Sequence, residues 1–172
     1  MKQSIFAILI LLSACARNES QDVTPKAESQ DTVQAESVQD RIKALASANG
    51  FDASDEIADA IANAANAYQV DALQLTAIGI IESGLGKNAK TRKNRNGTLD
   101  RGVFQINTVN LDRCKAFHID TVEGSAFCAA KILSQIKMVK PSDVAKYHSK
   151  TPSKKSAYFA KITKVLQVAS DK

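Results

Sequence analysis

In the stretch LTAIGIIESGLGKNAK, residues 75–90, a run without charge ends in one acid, Glu82, and the chain then turns polar and basic across Gly84 and Gly86. Helical spacing puts Glu82 on the face of Ile78 and Leu75, four and seven residues back. Apolar neighbours make a carboxylate costly to form. A carboxylic acid that keeps its proton near neutral pH can donate it to a leaving oxygen. The plainer alternative is a helix-end glutamate that reaches solvent or a lysine such as Lys87. Downstream, GVFQIN (102–107) reads as extended chain, with Val103, Gln105 and Asn107 pointing one way and Phe104 and Ile106 the other. Phe104 and Ile106 then anchor the core, and Gln105 and Asn107 present amides on an open face. Carboxamides both donate and accept, which suits sugar hydroxyls and N-acetyl groups. A polar edge strand with incidental amides is the competing reading. One further acid, Asp100, lies just before this segment and is the nearby candidate for a second carboxylate, or else a residue that structures its loop.

The elements that must position these groups read as helices. Ser54 precedes a helix at 54–68 with Asp55 and Glu56 in its first turn and an apolar face of Ile57, Ile61, Ala64, Ala65 and Tyr68. Asp71 precedes a second helix, 72–83, apolar on most sides and therefore buried. Residues 84–101, with three glycines, three asparagines and six bases, read as loop. Further helices are expected at about 108–117, 122–137, 142–148 after Pro141, and 153–169 after Pro152. The expected class is mainly α with a minor β element, in one compact domain over 41–172. Nothing in that class separates an enzyme from a binding module.

The N-terminal part has another composition. MKQSIFAILILLSAC carries one lysine before an apolar stretch too short for a permanent span, which reads as a signal peptide over 1–14. Leu12-Ser13-Ala14-Cys15 resembles the bacterial lipobox, which implies lipidation of Cys15. An ordinary secretory signal beside a chance cysteine is the other possibility. Ala16 after the cysteine favours, by the same resemblance, an outer-membrane anchor facing the periplasm. Residues 15–40 read as a tether: from 16 onward they lack aromatics, Ile and Leu, and hold six acids against two bases. From Arg41 on there are 20 bases and 12 acids, a net of +8 that a whole-chain value of +5 conceals. A basic domain in an envelope compartment suits an anionic partner such as peptidoglycan, not nucleic acid. The loop bases Lys87, Lys90, Arg92, Lys93, Arg95 and Arg101 are candidates for meeting its carboxylates, with ordinary solubility as the alternative. Cys114 and Cys128 form an even remainder in an oxidising compartment, consistent with a disulfide that closes a loop of about 15 residues and contributes roughly 3 kcal/mol. Two buried thiols are the alternative. No metal-ligand spacing occurs, His118 reads as a structural or surface residue, and no cofactor is implied.

Four segments in order, Glu82-Ser83, GVFQIN at 102–107, AAKIL at 129–133 and KYHS at 146–149, resemble the lytic transglycosylases with a lysozyme-like fold, over about Tyr68 to Lys161. NGTLDRGVFQIN, YHSKTP and a following Tyr158 are most similar to members that accompany conjugation and type IV secretion machines. The resemblance implies that Glu82 is the single catalytic acid and then the base. It implies that Ser83 helps position substrate or the carboxyl, that Gln105 and Asn107 line a saccharide cleft, and that Tyr147 hydrogen-bonds near Glu82 and orients it, core packing being the alternative for Tyr147. His148 stands where many relatives have asparagine, and its role is open. The implied reaction is cleavage of the MurNAc–GlcNAc bond with 1,6-anhydro ring closure. A hydrolytic muramidase on the same site and a non-catalytic peptidoglycan-binding scaffold are the alternatives.

Overall fold

A computed structural model describes residues 35–168. The signal peptide, Cys15 and most of the tether lie outside these residues. The described chain is mainly helical, with a three-stranded antiparallel sheet.

Its first helix, α1 (Val38–Ala48), begins inside the segment expected to be tether and was not read from the sequence. Ser37 starts it by accepting a hydrogen bond from the Asp40 amide, and Ile42, Leu45 and Ala46 are buried. The folded part therefore extends further toward the N-terminus than residue 41. Three apolar residues on one face were enough to recruit a segment whose flanks are polar.

Helices α2 (Asp55–Tyr68) and α3 (Ala72–Ser83) fall where the sequence puts them, capped by Ser54 and Asp71. Every residue of α3 from Leu75 to Ile80 is buried, so this helix is the spine of the core. It packs on α1, α2 and α5. Its lack of one apolar stripe is the mark of a helix surrounded on all sides. Gly79 serves close packing there: a Cβ would lie 3.0 Å from Leu85 and 3.2 Å from the Phe104 ring.

Helices α4 (Val122–Ser134) and α5 (Pro152–Gln167) are each close to expectation, and residues Pro141–Tyr147 form a 3-10 helix rather than an α-helical turn. The helix expected at 108–117 is absent. In its place a single 3-10 turn, Thr108–Asn110, leads into further turns. Of residues 108–117 only Cys114 is buried, and a short helix with no packed face is not sustained in water. Cys114 and Cys128 are bonded, with Cα atoms 5.3 Å apart, so the disulfide ties this turn region to α4.

The basic stretch 84–101 is not all loop. Strands β1 (Arg92–Lys93) and β2 (Leu99–Arg101) form a hairpin, with Arg92 opposite Asp100, and β3 (Ile106–Asn107) adds to β2 with Asp100 opposite Asn107. The turn is closed by the Asn94 amide to the Thr98 carbonyl at 2.7 Å. Conversely, GVFQIN is extended only at its last two residues. Residues 102–105 form a turn with φ of +72° at Gly102 and +46° at Gln105. The expected alternation therefore fails at Val103, which is buried with Phe104. Gly102 is required there: a Cβ would lie 2.1 Å from the Ile119 carbonyl oxygen.

Candidate functional site

A groove of about 720 Å³ brings together Glu82, Asp100, Gln105, Asn107, Tyr147 and His148. The first five, the site candidates singled out from the sequence, thus share one concave surface, although they come from α3, the small sheet with its turn, and the 3-10 helix. Ser83 is the exception.

Glu82 sits in the last turn of α3 with its side chain 13% exposed, so it opens to the groove without entering bulk solvent. Ile78 and Leu75 on the same face are fully buried. Its Oε1 accepts a hydrogen bond from the Tyr158 hydroxyl at 2.7 Å. Tyr158 lies in α5, is buried, and burial followed by the Glu82 charge pushes its phenol far above the ordinary range. It is a lasting hydroxyl donor. The expectation that Tyr147 orients Glu82 is corrected here: the Tyr147 hydroxyl donates to the Phe104 carbonyl at 3.1 Å. Tyr147 fixes the 102–105 turn, not the carboxyl. Burial raises its phenol well above the ordinary range, and the Glu82 and Asp100 charges push the same way.

Ser83 does not reach the groove. Its hydroxyl donates to the Val103 carbonyl at 2.5 Å and accepts from the Gly86 amide at 2.8 Å, while the residue is buried. This bond latches the C-terminus of α3 to the turn that carries Gln105. The role is structural.

Asn107 lines the groove but its amide is committed. The Nδ2 group donates to Asp100 Oδ1 at 2.7 Å and to Thr98 Oγ1 at 3.0 Å, and Oδ1 accepts from the Val109 amide at 3.1 Å. The expected free carboxamide is in fact the bracket between β2, β3 and the following 3-10 turn. Gln105 donates to the Gly102 carbonyl at 2.9 Å from a left-handed backbone position that a non-glycine residue adopts only at a cost of order 1–3 kcal/mol. Its amide oxygen faces no recorded protein donor among the described residues, so Gln105 retains an acceptor for a ligand.

Asp100, on strand β2 and not in a loop, has a side chain 11% exposed, accepts from Asn107, and pairs with Arg92 at 3.4 Å. Of the six loop bases, Arg92 and Arg95 line the groove, whereas Arg101 pairs with Asp120. Lys154 at the start of α5 lines it too, a cation that sequence proximity could not reveal. The lip also carries Val109, 68% exposed, an apolar surface beside the polar floor.

Tyr158 is the residue that reading the sequence left without a role at the carboxyl. Its signal is faint: Tyr158, Ile162 and Val165 share a buried helical face, and a tyrosine among aliphatic residues needs a partner for its hydroxyl. Nothing local names Glu82, 76 residues away, as that partner.

The arrangement amounts to one carboxyl with one oxygen held, a second carboxylate held by an amide and an arginine, and a basic, partly apolar groove. It can present a proton to a polar substrate and bind anionic groups beside it. No family model, no curated protein and no solved structure matches the chain.

Proposed function

We propose that this protein is a peptidoglycan lytic transglycosylase with a lysozyme-like fold, anchored through a lipid on Cys15 and facing the periplasm. The observation that carries the reading is Glu82: a shielded carboxyl with Oε1 held by Tyr158, opening into a polar groove of about 720 Å³. Four sequence segments in family order support it from an independent direction.

The chemistry follows from one acid. Glu82 protonates the glycosidic oxygen between MurNAc and GlcNAc as the C1–O bond breaks. The substrate's own N-acetyl carbonyl attacks the anomeric carbon and replaces the second protein carboxylate that ordinary glycosidases need at about 5 Å or 6.5–9.5 Å. Glu82, now ionised, takes the proton from the C6 hydroxyl, and that oxygen attacks C1 and closes the 1,6-anhydro ring as the bond from C1 to the N-acetyl oxygen breaks and the acetamide is restored. Arg92, Arg95 and Lys154 meet peptide-stem carboxylates. A tether of about 20 residues, ending where α1 begins, reaches on the order of 22–27 Å r.m.s. from the membrane to the murein. Service to an envelope-spanning secretion or conjugation machine is part of the same proposal and rests on the sequence resemblance.

Hydrolysis by a muramidase route is favoured by one observation, that Asp100 lines the same groove. Against it, Asp100 is already tied to Asn107 and Arg92 and holds the strands together. Digestion of purified sacculi with mass analysis separates the two. Anhydro-muropeptides, lighter by one water than reducing-end products, are expected; reducing ends alone would replace the lyase with a hydrolase, and no release at all would leave a binding scaffold.

A further inference from the structure

The two oxygens of Glu82 are not equivalent. Oε1 takes the Tyr158 hydroxyl at 2.7 Å, and the His148 Nδ1 atom approaches that same oxygen at 3.7 Å. At Oε2 no hydrogen bond from the described residues is recorded. His148 is at the end of the 3-10 helix, with its side chain 43% exposed on the groove. At 3.7 Å its nitrogen is beyond hydrogen-bond range of the carboxyl. Its close contact is instead with the phenol: the imidazole lies flat on the Tyr158 ring, with centroids 4.6 Å apart and planes 3° from parallel.

We infer that His148 is a positioning residue that acts through Tyr158: its ring is the plate that keeps the phenol hydroxyl on Glu82 Oε1, so that Oε2 carries the proton to be transferred. The inference rests on the reading of Glu82 as the acid. A carboxylic acid holds its proton on one oxygen, and a donor on Oε1 makes that oxygen the carbonyl-type acceptor. The proton then belongs to Oε2, the oxygen free to meet a substrate. After transfer the same Tyr158 donor stabilises the carboxylate, and Oε2 is the oxygen that recovers a proton from the attacking hydroxyl. The Tyr158 ring has the protein core on one side and the imidazole at its stacked face. Removing that plate opens the phenol to rotation and to competing water. Because His148 is half exposed, little of the overall stability depends on it. A flat ring without a donor nitrogen, as in His148→Phe, preserves the plate, whereas His148→Ala removes it.

The test compares His148→Ala, His148→Phe, Tyr158→Phe and the His148→Ala/Tyr158→Phe double variant in the full chain, by two readouts. The first is kcat and KM for release of anhydro-muropeptides from sacculi. The second, independent of activity, is the proton NMR signal of the Tyr158 hydroxyl, which slow exchange keeps visible only while the hydrogen bond holds. His148→Ala is expected to lower kcat about 10-fold with KM within about 2-fold, a misplacement effect, and to lose the hydroxyl signal. His148→Phe is expected to keep the signal and to stay within about 3-fold in kcat. The double variant is expected to be no slower than Tyr158→Phe alone, since two residues acting through one hydroxyl do not add. Equal losses in the Ala and Phe variants, additive losses in the double variant, or an unchanged hydroxyl signal in His148→Ala would each overturn the inference. If the wild-type chain releases no anhydro-muropeptide, the transglycosylase reading falls, and the hydroxyl signal alone decides whether His148 holds Tyr158.

Discussion

Glu82 and Asp100 are two carboxylates of one groove, and their surroundings differ. Glu82 stands at the end of a buried helix with one oxygen on Tyr158 and the other without a recorded protein partner. Asp100 stands on a strand of three residues, accepts from Asn107, and pairs with Arg92. The first is held in place yet left with capacity to react; the second spends its capacity on holding a sheet too short to hold itself. Short strands contribute few ladder bonds, so side chains must supply the rest. An acid that is structurally spent and an acid that is structurally supported look alike in a sequence. The surroundings separate them.

That contrast can be broken most forcefully at the turn joining the two walls. Gly102→Ala drives a Cβ into the Ile119 carbonyl and the Ser125 side chain at a left-handed φ, and is expected to cost about 3 kcal/mol or more of stability, read as a fall in denaturant midpoint. A variant of native stability would show that the wall can move aside.

The tyrosines sharpen the same contrast. Tyr158→Phe removes the donor on Glu82 and is expected to lower kcat on the order of 10–100-fold with little change in stability. Tyr147→Phe removes the donor to Phe104 and is expected to do the reverse, costing about 1 kcal/mol of stability and less than about 3-fold in kcat. The opposite ranking would return the orienting role to Tyr147.

On the sheet wall, Asn107→Ala strips the bracket between Thr98, Asp100 and Val109, and is expected to cost about 2 kcal/mol by denaturant unfolding. Its KM for sacculi should follow the loss of structure. A KM effect with unchanged stability would mean that Asn107 binds sugar directly.

The smallest effect concerns acid. Asp143, a buried residue of the 3-10 helix that ends at Tyr147 just before His148, is held below the usual carboxylate range, first by Lys146, then by the Val139 amide, with Lys140 and Lys155 also contributing. A depressed carboxyl stabilises the fold above its ordinary value of 3.8 and loses that contribution as pH falls below it. Melting temperature should therefore decline below about pH 4, and Asp143→Asn should lower the plateau and flatten that decline. An unchanged acid limb in the variant would locate the sensitivity elsewhere.

Much of the helical scaffold was legible because its signals are local. Ser54 and Asp71 cap helices where they stand, and the apolar run of α3 announces a buried helix with Glu82 at its end. The hairpin was less visible, since strands of two and three residues leave no periodicity. Asn96-Gly97 between them is the turn signal that marks it. GVFQIN misled because Phe104 and Val103 are both buried by a turn, not by alternation. The choice between Tyr147 and Tyr158 could not be made from spacing, because it depends on how α5 docks across α3. Likewise Lys154 joins Arg92 and Arg95 only through the fold.

Glu82→Gln tests the central claim most directly, because it keeps the side chain's shape and an acceptor for Tyr158 while removing the transferable proton. Purified sacculi incubated with the variant should release anhydro-muropeptides at least about 1,000-fold more slowly than with the wild-type chain, at unchanged thermal stability. Release at the wild-type rate would contradict the claim that this carboxyl performs the chemistry.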